Sequence, residues 1–145
     1  NVVGEDKETG KLSVDIPLVV LVNCNRASAS EIFSGALQDS GKAKLVGTTT
    51  FGKGIVQSVI PLSDGTAVKL SVAKYFTPNG NDIHKKGITP DYEVELPDGQ
   101  TSAVNIDRAD DTQLQKAQEV IAEMLNNYYN KQGFYRKIGL LLIFL

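Results

Sequence analysis

Residues 17–23 read PLVVLVN, a continuous run of apolar and mostly β-branched residues. Such a run is typical of a strand that is buried on both faces, as in a parallel sheet flanked by helices. A turn-like stretch follows, and residues 28–41 then carry apolar side chains at helical spacing up to a glycine stop at Gly41. Residues 43–46 return as a second strand, so the segment predicts a βαβ unit with parallel strands.

The pattern becomes β-rich beyond the Thr- and Gly-rich loop at residues 47–54. Residues 55–62 and 67–76 predict a hairpin with one face in water, and residues 92–96 predict a short strand. From Asp110 or Asp111 to Tyr128, apolar residues recur three and four apart, which predicts a second helix. The final run at 140–145 is too short for a bilayer, which needs about 20 residues, and predicts a terminal strand or a partner contact.

Composition places the chain among ordinary folded proteins, with 145 residues, 41% hydrophobic and 22% charged. The net charge is -2 and no basic cluster occurs, which argues against nucleic acid as a partner. The single cysteine, Cys24, excludes an internal disulfide and a zinc site built from several thiolates.

Residues 47–53 fit the first seven positions of a phosphate-binding loop that follows a strand. The eighth position holds Gly54, where a Ser or Thr hydroxyl would bind magnesium. Residues 55–61 then predict a strand and not the helix whose N-terminus would hold the phosphates. We therefore expect no nucleotide, and a nucleotide-binding domain is the weakest of the alternatives.

Ser28 lies at the turn between the predicted buried strand and the predicted helix, where a helix N-terminus favours developing negative charge. A serine there is equally well explained as a helix cap, and Ser30 could cap as well. Both explanations stay open on the residues alone. A nucleophilic hydroxyl would also require a neighbouring base.

Two residues are candidate bases for such a hydroxyl. His84 is the only histidine, and its polar surroundings beside two lysines predict a solvated surface residue. Lys53 lies between Gly52 and Gly54, which let the backbone bend and approach another segment closely. Lys53 is either a solvated loop residue or a base, and a base would need a neutral amine, which burial favours.

Five segments together resemble the C-terminal-processing peptidases, also called tail-specific proteases, over about residues 17–125. They read ASASEIF at 27–33, GALQD at 35–39, TFGKG at 50–54, YFTP at 75–78 and GITPD at 87–91. The resemblance implies that Ser28 is the nucleophile and that Lys53 is the general base. It also implies that Gln57 orients the lysine, that Asp39 supports the site and that the Ala29 N–H stabilises the oxyanion.

The fold implied by this resemblance is an α/β, ClpP/crotonase-like spiral protease core in truncated form. The upstream strand with its Gly-Gly turn and the peptide-binding PDZ domain of the family have no counterpart in these residues. The expected organisation is a polar N-terminal loop or edge element over 1–16, a partial protease catalytic domain over 17–127 and a tail of unclear role over 128–145.

The function implied by the resemblance is that of a serine endopeptidase segment that cuts polypeptide substrates near their C-termini, without cofactor or metal. We expect the isolated segment to be weakly active or inactive, and a homodimer is a candidate for completing the truncated fold. The family implies an extracytoplasmic location in bacteria, in the periplasm or on the cell-envelope side of the membrane. The rival hypothesis is a non-catalytic binding or assembly module with the same fold.

Overall fold

A parallel sheet and a separate β-hairpin make up the architecture of the computed structural model, which describes residues 16–100, 102–132 and 142–144. The strands are β1 (Val19–Val22), β2 (Lys44–Gly47), β3 (Ile55–Pro61), β4 (Ala67–Lys74), β5 (Tyr92–Glu93) and β6 (Leu142–Phe144). The helices are α1 (Ala29–Asp39) and α2 (Thr112–Gln132), with a 3-10 turn at Pro97–Gly99.

The four-stranded sheet has the order β5-β2-β1-β6, and each neighbouring pair is parallel. β1 is buried along its whole length, and α1 connects it to β2, so the predicted βαβ unit is confirmed. Val19 and Leu21 pack with α2 on one face, while Val20 and Val22 pack with Ile83 and other residues on the opposite face. The uninterrupted apolar run of β1 thus serves two separate core layers.

Gly47 ends β2 in a conformation that favours glycine, with φ of 133°. A Cβ at this position would lie 1.9 Å from the carbonyl oxygen of Val22, so no larger residue fits without backbone movement. The close approach brings the loop at 48–54 across the carboxyl ends of β1 and β2, next to the start of α1.

The hairpin of β3 and β4 differs from the prediction of a single wet face. The register pairs Ile60 with Val68, and these residues share a face with Leu70 and Val72. All four are between 39% and 56% exposed, so no described element covers this apolar face. A two-stranded hairpin whose apolar face is uncovered is marginally stable on its own.

The remaining elements follow the predictions with shifts at their ends. The strand expected over 92–96 contains only the two residues of β5, and α2 begins after Asp111, whose carboxylate accepts the Leu114 N–H at 2.9 Å. α2 runs without a break across the expected boundary at residue 127. The predicted terminal strand is confirmed by β6, whereas the polar element expected over 1–16 lies outside the described residues except for its last position.

Within the described ranges, no helix has both the length and the apolar character required to span a membrane.

Candidate active site

Ser28 occupies a strained backbone conformation immediately before α1, with φ of 59° and ψ of -115°. Its carbonyl oxygen accepts the N–H groups of Glu31 and Ile32, and its own N–H donates to Oε2 of Glu31 at 2.9 Å. A residue other than glycine at positive φ costs about 1 to 3 kcal/mol and is common at functional sites. The half-buried serine is therefore held at a sharp strand-to-helix turn by its surroundings.

The first N–H of α1 is free to bind a negative group. Ala29 is the first helical residue, and its N–H cannot find an acceptor inside the helix. Among the described residues this N–H has no hydrogen-bond partner. An unpaired N–H at the start of an eleven-residue helix is suited to stabilising an oxyanion.

The loop that carries Lys53 is pressed against the segment at 83–87. A Cβ on Gly54 would lie 2.7 Å from the His84 nitrogen, and a Cβ on Gly52 would lie 2.9 Å from the Gly87 nitrogen. The Lys85 N–H also donates to the Gly52 carbonyl oxygen at 2.8 Å. The prediction that the two flanking glycines permit a close backbone approach is confirmed.

The backbones of Ser28 and Lys53 meet at one carboxylate oxygen. Oε2 of the fully buried Glu31 accepts the Ser28 N–H at 2.9 Å and the Lys53 N–H at 2.8 Å. The two nitrogens therefore cannot lie farther apart than the sum of these distances, although 25 residues separate them in sequence. Sequence reasoning assigned no role to Glu31, although its place three residues after a capping serine was an available signal.

The side chain of Lys53 does not follow the expectation of a buried amine. It is exposed, and it forms no hydrogen bond or ion pair with any residue in the described ranges, the Ser28 hydroxyl included. Gly52 and Gly54 are buried on either side, so only the lysine backbone is covered.

Gln57 and Asp39 lie in different surroundings. Gln57 is exposed on β3 at a bulge, and its side chain has no hydrogen bond within the part of the chain described. Asp39 ends α1, about 15 Å from its start at about 1.5 Å per residue, and accepts the Asn79 N–H at 2.8 Å. Asp39 is thus remote from Ser28, and its contact supports the neighbouring turn.

His84 is not the solvated residue that the sequence predicted. It is half-buried against Gly54, and its Nδ1 is buried without a hydrogen-bond partner among the described residues. The two lysines that follow it are exposed, so the polar residues around His84 in sequence did not indicate that its Nδ1 atom is buried. In the described residues, no group of three or more His, Cys, Asp or Glu is placed to hold a metal ion.

Asp91, in the GITPD segment, connects α1 to β2. Its carboxylate accepts the Leu45 N–H at 2.9 Å, the Lys44 amine at 2.7 Å and the Gln38 amide at 3.2 Å. Partial burial raises the pKa of the Asp91 carboxyl. The hydrogen bonds, that from the Leu45 N–H foremost, outweigh this effect and hold the pKa of Asp91 below its ordinary value.

The Asp91 contacts predict a specific loss of stability in acid. Because the folded-state pKa is lowered, the carboxylate stabilises the fold above the unfolded-state value near 3.9, and the contribution is lost as pH falls through the folded-state value. We expect Asp91→Asn to lower the unfolding free energy by about 1 to 3 kcal/mol at pH 7, with a smaller difference at pH 3. Lys44→Gln, which removes a half-exposed amine, should cost less than about 1 kcal/mol. Urea unfolding at several pH values measures the unfolding free energy of both variants. If the difference between wild type and Asp91→Asn does not change with pH, the stabilising role of the Asp91 carboxylate is contradicted.

A serine at a strained strand-to-helix turn, beside a free helix N–H and a lysine loop, is an arrangement typical of serine hydrolases. Residues 2–94 match the sequence profile of peptidase family S41, and the chain belongs to this family.

Curated relatives with high identity are C-terminal-processing proteases. The chain is 59% identical over 88 residues to the carboxyl-terminal-processing protease of Synechocystis sp., covering 61% of this chain and 21% of that protein. It is 55% identical over 82 residues to the carboxy-terminal processing protease CtpA of Bacillus subtilis, covering 57% and 18%. It is 53% identical over 79 residues to the chloroplastic C-terminal processing peptidase of Tetradesmus obliquus, covering 54% and 17%. The chain thus spans about a fifth of the length of these relatives.

Solved structures agree on the fold. The photosystem II D1 C-terminal processing protease superposes with a TM-score of 0.53 at 52% identity, covering 56% of this chain and 22% of that one. The tricorn protease superposes with a TM-score of 0.58 at 27% identity, covering 74% and 10%. The architecture is an α/β fold of the S41 proteases.

Proposed function

We propose that the chain is part of the catalytic domain of a serine endopeptidase that cleaves polypeptides near their C-termini, with Ser28 as nucleophile and Lys53 as general base. One observation carries the proposal: Glu31 holds the backbones of Ser28 and Lys53 side by side at the open N-terminus of α1. Names of relatives at 50% identity or more support the reaction class and the substrate class.

The proposed reaction begins with the neutral Lys53 amine taking the proton of the Ser28 hydroxyl. The serine oxygen attacks the carbonyl carbon of a peptide bond, and the Ala29 N–H stabilises the resulting oxyanion, which is typically worth about 3 to 4 kcal/mol. The C–N bond then breaks as Lys53 passes the proton to the leaving amine. Water hydrolyses the acyl-enzyme, and Gln57 directs the lysine amine throughout.

A neutral lysine requires that water be removed from the exposed Lys53 side chain. We propose that the chain from residue 17 onward, with α2 and β6 included, is a truncated part of a ClpP/crotonase-like core. Upstream strands and a PDZ domain, or a second copy of the chain, would then cover the loop. Two observations support this proposal. The apolar face of the hairpin is uncovered, and the chain spans about a fifth of the length of its relatives. The isolated chain is accordingly expected to be weakly active or inactive.

Relatives from bacteria and a chloroplast suggest substrates with exposed polypeptide tails on the extracytoplasmic side of a membrane, in the periplasm or at the cell envelope.

The second candidate function is a non-catalytic binding or assembly module. The exposed Lys53 amine and the apolar face of the hairpin favour it, because they are features of a surface that contacts another protein.

A fluorophosphonate probe tests the proposal, because it reacts covalently with activated serines. The probe is added to the full-length protein that contains this chain, and the adduct is located by peptide mass spectrometry. We expect one adduct, on Ser28, and no adduct after heat denaturation. Absence of any adduct in a folded full-length protein would favour the non-catalytic module.

A further inference from the structure

Glu31 is the most completely hydrogen-bonded side chain near the site. Its carboxylate is 0% exposed and accepts four hydrogen bonds, from the N–H groups of Ser28, Gly52 and Lys53 and from the Thr50 hydroxyl. The donors belong to two segments, the turn before α1 and the loop at 48–54. Glu31 is therefore the point at which these two segments are joined.

All four partners of Glu31 direct a hydrogen at its carboxylate. The Thr50 hydroxyl accepts the Ile88 N–H at 2.8 Å and donates its own hydrogen to Oε1 of Glu31. The other three partners are backbone N–H groups and can only donate. The carboxylate is thus held in place by four oriented donors from two segments of the chain.

The two oxygens of the Glu31 carboxylate bind different sets of donors. Oε1 binds Thr50 and Gly52, which shapes the loop, whereas Oε2 binds Ser28 and Lys53 and fixes their separation. The bond to Ser28 also holds the strained φ of 59°, and it engages the Ser28 N–H, so the neighbouring Ala29 N–H is the one that faces incoming charge.

We propose that Glu31 is a positioning residue that holds the backbones of Ser28 and Lys53 at the separation the reaction needs, through a single carboxylate oxygen. The inference rests on the proposed function, since it assigns the geometry of that same pair. The buried Glu31 carboxylate contacts the backbone N–H groups of Ser28 and Lys53 and not the Ser28 hydroxyl or the Lys53 amine. A role in folding alone would lower stability and leave the rate per folded molecule unchanged, whereas a positioning role lowers that rate.

The test uses Glu31→Gln in the full-length protein, with Asp91→Asn as matched control. The amide keeps the size of the side chain but directs an NH₂ group at backbone donors. Asp91 is also a partly buried carboxylate that accepts a backbone N–H, but it lies beside β2 and away from the serine turn. Glu31→Asp, which keeps the charge and shortens the reach, is the second variant if Glu31→Gln does not fold.

We expect kcat on a peptide substrate, per folded molecule, to fall about 100-fold in Glu31→Gln and at least about tenfold in Glu31→Asp, with KM nearly unchanged. Asp91→Asn should stay within about threefold of wild type. Amide hydrogen exchange, followed by mass spectrometry, should accelerate selectively in peptides that contain Ser28 and residues 50–54. A kcat per folded molecule within threefold of wild type, with unchanged exchange in these peptides, would overturn the inference.

The two readouts separate this inference from the proposed function. If the wild-type protein neither hydrolyses peptides nor reacts with the fluorophosphonate, the proposed function fails, and the positioning role, which depends on it, is overturned too. If wild type reacts and Glu31→Gln reacts equally fast, only the positioning role is overturned.

Discussion

Replacement of Ser28 by alanine is expected to reduce peptide hydrolysis by the full-length protein at least about 1,000-fold, because no other group can form the acyl-enzyme. The matched control is Ser30→Ala, two residues further along α1. Ser30 lies in the first turn of α1 and is not its N-cap, so its replacement shows the effect of removing a hydroxyl near the helix start while the candidate nucleophile stays in place. Initial rates on a fluorogenic peptide measure both variants.

Two outcomes would contradict the assignment of Ser28. Hydrolysis by Ser28→Ala within tenfold of wild type would show that another nucleophile acts. A loss of hydrolysis in Ser28→Ala that is fully accounted for by a loss of folded protein would indicate that Ser28 only caps α1. Thermal unfolding of both variants therefore accompanies the rate measurements.

Lys53→Arg is expected to reduce hydrolysis by about 100- to 10,000-fold, the usual contribution of a general base. Arginine keeps the positive charge and the length but stays protonated, so it cannot accept the serine proton. Lys86→Arg is the matched control, because Lys86 is an exposed lysine in the segment packed against the same loop. It should remain within about twofold of wild type.

Near-normal activity of Lys53→Arg would remove Lys53 from the mechanism.

Local patterns predicted the elements that surround the site. The apolar run of β1 and the helical spacing of α1 depend on neighbours in sequence, and both were confirmed with ends shifted by one or two residues. The close approach at Gly52 and Gly54 was also predictable, because glycine pairs mark places where backbone meets backbone.

Contacts between distant residues could not be predicted in the same way. Glu31 meets its loop partners 19 to 22 positions away, and Asp91 meets Leu45 46 positions away. Residue spacing contains no signal for such pairs. These hydrogen bonds give a physical reason for the glutamate in ASASEIF and the aspartate in GITPD, whose roles the sequence alone left unexplained.

Burial was the least predictable property. Alternation identified the apolar face of the hairpin correctly but did not indicate whether another element covers it. Burial of Lys53 was expected only if it acts as a base, and its side chain is exposed, whereas His84 was expected to be solvated and has a buried ring nitrogen. In each case the exposure of the side chain depends on which other segment packs against it. The residues next to it in sequence do not indicate that segment.

The most direct test of the Ser28 and Lys53 pair is a crystal structure of the full-length protein bound to a non-cleavable peptide. The quantity to measure is the distance from the Lys53 amine to the Ser28 hydroxyl. We predict a separation of about 3 Å, within hydrogen-bond reach, with the amine shielded from water. A lysine that still points into solvent, out of reach of the serine in that complex, would contradict the proposed mechanism.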